Sequence, residues 1–288
     1  MPVTFIAEIS SNHGRDLGRS LALIDAAAEA GADAVKFQLF RIARMFAPEI
    51  LSQSAKHRAR AEWELPLSFL PKLAERCQQR GVAFACTPFY LEAVAELEPY
   101  VAFYKVASYE LLCDPLLEAC ARTGKPVVLS TGMATLDEVR HGAKILTYAG
   151  ARDVTLLHCV SAYPTPPEQA NLKAIETIRS ATGMPTGWSD HTVSPAVIHR
   201  AIHRFGATAI EFHIDLDGEG AEFAPGHCWL PGQIARVIAD VRLGEAADGT
   251  GVKAPTPAEL PDREWRADPA DLMRPMRAIR ATYRSDAA

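Results

Sequence analysis

Eight short apolar runs recur along the chain, each followed by a helical stretch and each turning polar only where it ends. In order, the ends carry Glu8, Asn12 and His13; Lys36 and Gln38; Thr87; Lys105 and Ser108; Ser130 and Thr131; His158, Ser161 and Tyr163; Ser189, Asp190 and His191; and His213 and Asp215. Parallel strands covered on both faces read as unbroken apolar runs, so polar chemistry can appear only where they emerge. In a closed α/β barrel those ends gather at one mouth. Alternating strands and helices predict a parallel sheet, and eight units favour closure over an open doubly wound sheet. No GxGxxG follows the first run, which weakens a dinucleotide fold. The expected class is α/β, a (β/α)8 TIM barrel over residues 1–244 with a short C-terminal extension over 245–288.

The first helix is expected over about Leu17 to Ala30, where Leu21, Ile24, Ala27 and Ala28 fall at helical spacing before GAD breaks it. The stretch from Leu39 to Pro66 is longer than a usual strand-to-helix loop and holds Arg41, Arg44, Arg58, Arg60 and Trp63. It reads either as a lid or substrate wall, or as a surface excursion with its arginine stems laid on apolar surface. Further helices are expected near 68–80, 91–97, 115–123, 136–149, 172–181, 196–205 and 233–243, the last closing the ring. Beyond Gly244 the chain becomes rich in Pro, Gly and charge, and its MRPMRAIRATYR segment is expected either to pack as one short helix on the barrel or to serve a neighbouring subunit.

With 288 residues, 48% hydrophobic and 23% charged, the chain has ordinary globular composition. The net charge of -5 gives no support for a nucleic-acid or membrane surface. Small-molecule partners are expected. Cysteines 77, 86, 113, 120, 159 and 228 form no CxxC pair and read as reduced, buried thiols. The first residues begin a strand without signal-peptide features, and no apolar run approaches the roughly 20 residues that span a bilayer, so a cytoplasmic location is expected.

His191 and His213 end consecutive strands, which are neighbours in a barrel. Their imidazoles either satisfy core hydrogen bonds or approach one divalent ion of the Mn, Fe, Co or Zn kind, with coordination positions left open. Lys36 and Lys105, with Thr87, Ser108, Ser130 and Ser189, bring ammonium and hydroxyl donors from separate strand ends, an inventory suited to a phosphate and a carboxylate. Glu8 is a candidate acid/base or a structural carboxylate bonded to a barrel lysine. Asp190 and His191 face opposite ways along a strand, which disfavours pocket roles for both.

The segments AEISSNHGRDL, AGADAVKFQ, TPF, YKVAS, KPVVLSTGM, LLHCVSAYPTP, GWSDHT and EFHIDLD, in this order, resemble the sialic acid synthase (N-acetylneuraminate synthase) family over about Phe5 to Leu243. The resemblance implies a (β/α)8 barrel that condenses phosphoenolpyruvate with an N-acylated amino sugar of N-acetylmannosamine type, releasing phosphate and forming a nine-carbon 2-keto acid. It implies a divalent metal, Mn or Mg, at His191 and His213. Phosphoenolpyruvate contacts fall on Lys36, Thr87, Lys105, Ser108, Ser130 and Ser189, and proton handling on Glu8. Tyr163 lies on the sugar side, Gln38 near the same pocket, and Ser161 where an asparagine is usual.

The departures from the family concentrate on the sugar side. Many members continue into an antifreeze-like domain whose arginine reaches the partner's site. Here that group is expected from a separate chain, from the insert arginines, or from Arg263, Arg266 or Arg274, unless the acceptor differs. The family's PGPD segment is replaced by GEGAEFAPGHCW, where Glu222 or His227 stands in for its aspartate. A homodimer is expected by resemblance only. Two other readings suit the same residues: a metal-dependent aldolase or isomerase on the same barrel, and a noncatalytic sugar-acid binding or partner protein.

Overall fold

A computed structural model describes residues 2–283, and these divide after Gly244 into two compact units. In the first unit the order is β1 (Thr4–Glu8), α1 (Leu17–Glu29), β2 (Ala34–Leu39), the short helices α2 (Ile42–Met45), α3 (Pro48–Gln53) and α4 (Ala55–Ala59), then α5 (Leu70–Arg80) and β3 (Ala83–Pro88). It continues through α6 (Glu92–Leu97), β4 (Phe103–Val106), α7 (Asp114–Arg122), β5 (Val127–Ser130), α8 (Leu136–Tyr148), β6 (Val154–Cys159), α9 (Ala174–Thr182) and β7 (Thr186–Asp190). After α10 (Pro195–Phe205) and β8 (Ala209–Ile214) come the two-residue β9 (Cys228–Trp229) and α11 (Pro231–Ala247), which crosses into the second unit. Each of β1 to β8 pairs in parallel with the next, and β1 pairs with β8, so the barrel closes as expected from the eightfold repeat.

Alternation along the strands separates two apolar layers. Phe5, Val35, Phe37, Phe84, Tyr104, Leu129, Trp188, Ile210 and Phe212 face outward and join the large core beneath the helices. Val128, Leu157 and Ala209, with Phe103 against them, form a separate cluster and plug the lower part of the barrel interior. The next inward positions toward the strand ends are polar, and these form the floor of the mouth.

Gly187 shows how tightly the plug is filled: a Cβ there would lie 2.2 Å from the Ala209 carbonyl oxygen and 2.7 Å from Leu157 Cδ2. The obstacle on one side is strand backbone, so it cannot rotate away. Gly187→Ala is expected to destabilise the barrel by about 3 kcal/mol, at the upper end of ordinary overpacking costs. A denaturant midpoint within error of the parent would contradict this packing.

The insert between β2 and α5, read from sequence as a long loop, holds three helices of 4, 6 and 5 residues. The guanidinium of its Arg60 lies over both the Phe46 and Trp63 rings, 5.7 Å from each centroid. Cys113 is exposed, against the expectation of a buried thiol; the other cysteines are buried, and all are free. No helix among the described residues is long and apolar enough to cross a membrane.

The second unit carries α12 (Arg277–Thr282), tied to its preceding turn by Asp271, which accepts from Arg280 at 2.7 and 2.8 Å. Arg284, the last residue of the expected terminal helix, lies outside the described residues.

Candidate active site

The strand register determines which polar residues meet. Glu8 stands opposite Lys36 on one side and His213 on the other, Gln38 opposite Thr87, and Ser189 opposite both Cys159 and Glu211. One cavity at the strand ends is lined by Glu8, Lys36, Gln38, Thr87, Lys105, Ser108, Ser130, Tyr163, Ser189, His191 and His213. Ser161 lines the adjoining cleft between the ends of β5 and β6 instead, with Thr131 and Cys159.

The deepest layer is a buried set of alternating charges. Lys36 is 3% exposed and forms an ion pair with Glu8, donates to Thr87 Oγ1 at 3.2 Å, and lies 3.9 Å from Glu211. Lys105 approaches the other oxygen of Glu211 at 3.7 Å, and Ser189 Oγ donates to that oxygen at 3.2 Å. Burial pulls the Lys36 ammonium down to about 8, and Lys105 adds to the effect while Glu211 opposes it. Burial alone would raise the Glu211 carboxyl, but Lys105 and Lys36 outweigh it and hold the group below the ordinary carboxylate range.

Two lysines and two carboxylates make a buried floor of balanced formal charge. Such a floor can reorganise its pairs around an incoming anion. Ser130 Oγ and Glu211 Oε2 have no hydrogen-bond partner among the described residues, so donor and acceptor capacity remains for a ligand. Ser108 Oγ accepts the Gly132 N–H at 2.9 Å, which ties the end of β4 to the end of β5.

Above the floor lies a histidine cluster. The His191 and His213 rings are 5.2 Å apart, His213 and His227 4.9 Å, and Tyr163 lies 4.2 Å from His191 and 5.0 Å from His227. His191 Nδ1 is 2.8 Å from the Val160 carbonyl oxygen, so it carries the proton and leaves Nε2 as a free lone pair. Burial pulls His191 down to about 3, with His213 adding to the effect, and burial also lowers His213. Both rings are therefore neutral near pH 7, the form that binds metal.

Four potential ligand atoms within 4.8 Å of one another come from His213, Glu222, His227 and Cys228; His191 is not among that group. Cys228 Sγ donates to the Glu222 carbonyl oxygen at 3.3 Å, and burial pushes its thiol up to about 12, so it stays protonated.

Glu211 was not singled out from the sequence, although its position two before His213 gives both the same inward parity in β8. Other polar run-ends do not reach the cavity. His158 faces outward against Trp188 at 5.2 Å, with Nε2 2.9 Å from the Ala170 carbonyl oxygen. Asp190 accepts from the indole N–H groups of Trp188 and Trp229, each at 3.0 Å, and so joins β7 to β9. Asn12 and Asp215 bind loop backbone.

Comparison with known proteins agrees with this architecture. A solved N-acetylneuraminic acid synthetase from Leptospira borgpetersenii superposes with a TM-score of 0.80 at 32% identity, covering 92% of each chain. An N,N'-diacetyllegionaminic acid synthase from Campylobacter jejuni is 34% identical over 269 residues, 88% of this chain and 80% of that protein. An uncharacterized protein of Methanocaldococcus jannaschii is 38% identical over 263 residues, 90% of this chain and 75% of that one. The family model that matches residues 23–253 is that of NeuB. A closed barrel of this topology, relatives above 30% identity across most of their length and a family match over most of the chain together establish that this protein belongs to the NeuB family.

Proposed function

We propose that this chain joins phosphoenolpyruvate to the open-chain aldehyde of an N-acylated amino sugar of N-acetylmannosamine type, forming a nine-carbon 2-keto sugar acid and releasing phosphate. The observation that carries this reading is the sharing of one cavity by a lysine-and-hydroxyl cage and a pair of neutral imidazoles, Lys36 and Lys105 with His191 and His213. An anion and a polarised carbonyl can thus be held side by side. The names of the relatives, which are synthases of sugar acids, support the same reaction class.

In this reading Lys36 and Lys105 bind the phosphate and carboxylate of phosphoenolpyruvate, and Thr87, Ser108, Ser130 and Ser189 satisfy the remaining oxygens. Fixing both reactants on rigid strand ends brings C3 against the aldehyde carbon and removes much of the entropy cost of the encounter. Tyr163, beside the histidines, and Gln38 face the sugar. Glu8 handles protons at the barrel floor. C3 bonds to the aldehyde carbon, the aldehyde oxygen takes a proton, water adds at C2, and the tetrahedral centre expels phosphate to leave the ketone.

The donor set fits a divalent metal, since His191 and His213 are buried, neutral and close together. Held by them, the ion would act as a Lewis acid on the aldehyde carbonyl. A homodimer and a second chain supplying an arginine belong to this proposal. So does a cytoplasmic setting, where phosphoenolpyruvate is formed.

The lowered Lys36 gives a pH signature. Below about pH 8 the ammonium is charged and available to the anion; above it the charge is lost. The kcat/KM for phosphoenolpyruvate, which reports the free enzyme, is expected to fall about tenfold per pH unit above that point. A profile flat to pH 9.5 would exclude a charged Lys36 from substrate capture. The function itself is tested by measuring phosphate release from phosphoenolpyruvate with candidate amino sugars.

A further inference from the structure

The segment between β8 and β9 is held in place by more buried polar contacts than a surface connection needs. Asp215 accepts the backbone N–H groups of Gly218 at 2.7 Å and Gly220 at 3.1 Å, and Arg19 clamps Asp215 and Asp217 at 2.8 Å. Asn12, on the loop after β1, accepts the Glu222 N–H at 2.9 Å and donates to the Ile214 carbonyl at 2.9 Å. Gly220 sits so close to these groups that a Cβ would lie 2.1 Å from Asp215 Oδ1 and 2.5 Å from Asn12 Oδ1.

The outcome of this bracing is one aimed carboxylate. Glu222 Oε1 accepts from Ser10 Oγ at 2.7 Å, which leaves Oε2 directed at two rings: His213 Nδ1 at 3.3 Å and His227 Nε2 at 3.8 Å. Pairing of β9 with β8 sets Cys228 opposite His213 and so brings His227 beside it. His213 and His227 are both more than nine-tenths buried.

Each of the three residues keeps a buried polar atom without a hydrogen bond. Glu222 Oε2, His213 Nδ1 and His227 Nδ1 are buried without a hydrogen-bond partner among the described residues. Orphaned buried polar atoms are costly and call for an explanation. A cation shared by Glu222 Oε2, His213 Nδ1 and His227 Nε2 supplies one for Glu222 and His213. Donors bonded at about 2.1 Å to one ion stand roughly 3.0 Å apart at octahedral corners and roughly 3.4 Å apart at tetrahedral ones; Glu222 Oε2 stands 3.3 Å from His213 Nδ1 and 3.8 Å from His227 Nε2.

We propose that Glu222 and His227 are protein ligands of the metal centre together with His213 and His191, so that the resting chain retains a transition-metal ion without either substrate and discriminates against Mg. The proposal rests on the reading of this mouth as a metal site, and it adds a carboxylate and a third imidazole to the histidine pair. Three nitrogens and one oxygen suit Mn, Fe, Co or Zn; Mg takes oxygen ligands and keeps most of its water. Four protein ligands leave two octahedral positions open. The same four ligands also make the centre chelating enough to hold its ion between turnovers.

The test is calorimetric titration of chelator-stripped full-length protein with MnCl2 and with MgCl2, no substrate present, on the parent, Glu222→Gln and His227→Ala. The glutamine can still accept from Ser10 but lacks the second anionic oxygen. The parent is expected to bind one Mn per chain and Mg at least about a hundredfold more weakly, and each variant to lose on the order of a hundredfold in Mn affinity. Pulsed EPR of bound Mn is expected to count three imidazole nitrogens in the parent and two in His227→Ala.

Equal Mn affinity in the parent and in a variant of unchanged circular dichroism would overturn the proposal, as would two nitrogens in the parent. Should Glu222→Gln fail to fold, His227→Ala and the nitrogen count still decide. Phosphate-release assays keep the two readings apart. Mn binding as described without turnover on any sugar rejects the condensation and leaves the metal set standing. Turnover with Mn affinity indifferent to Glu222 does the reverse.

Discussion

Replacing His213 with alanine is expected to lower phosphate release roughly a thousandfold, the scale of several kcal/mol of carbonyl activation, while the protein stays folded. His213 is the ring on which the cluster converges: His191 lies 5.2 Å away, His227 4.9 Å, and the Glu222 carboxylate 3.3 Å. It is the ring of the set that neighbours the β7 histidine and also pairs with the Glu222 carboxylate. Its side chain faces the mouth rather than the outer core, so truncation opens space into the cavity and spares the packing beneath the helices. Metal content should fall with activity, and the melting temperature should hold. Near-parental turnover in a folded, metal-free variant would remove His213 from the chemistry.

Lys105→Met is expected to raise the KM for phosphoenolpyruvate at least about a hundredfold, the loss of a buried charge-assisted contact, with the sugar KM little changed. It should also cost stability, because Glu8 and Glu211 would then share one lysine instead of two. Breaking a buried pair by removing one partner costs roughly 3–5 kcal/mol. The sign with pH distinguishes this from simple loss of packing. In the parent, the lysines depress the Glu211 carboxyl, so its stabilising contribution is present above the unfolded carboxylate pKa and is lost as pH falls through the folded one. Without Lys105 the same buried group is pushed upward, its charge becomes a penalty near neutrality, and acid relieves it. The gap in melting temperature between parent and variant should therefore narrow as pH drops. A gap that widens in acid would contradict the pairing.

The barrel was legible because its physics is repetitive. Strands buried on both faces must be apolar until they emerge, and that rule marks each of the eight strands and its polar end without reference to the others. Helix bounds followed to within a few residues where an apolar stripe ran for two turns or more, as in α1 and α5. The insert helices α2 to α4 span only 4 to 6 residues, too short for a periodic signal, and their sequence reads as loop. Glu211 could have been found by strand parity, because it lies two residues before His213, but an isolated glutamate in an apolar run carries no mark of its two lysine partners. Glu222 and His227 lie in a stretch without periodicity. Only the fold-back of β9 onto β8, two residues long, brings them to the histidines, and a pairing that short leaves no trace in the sequence.

In the proposed reaction one cavity holds an anionic enol phosphate and a polarised sugar aldehyde together. The most direct test measures inorganic phosphate released from phosphoenolpyruvate in the presence of Mn, scanned against N-acetylmannosamine, its 6-phosphate and 2,4-diacetamido hexoses, with each component omitted in turn. Release is expected to require phosphoenolpyruvate, one of these sugars and the metal at once, in amounts equal to the 2-keto acid formed. Release that proceeds without any sugar, or a metal-loaded, folded protein silent with every acceptor, would contradict it.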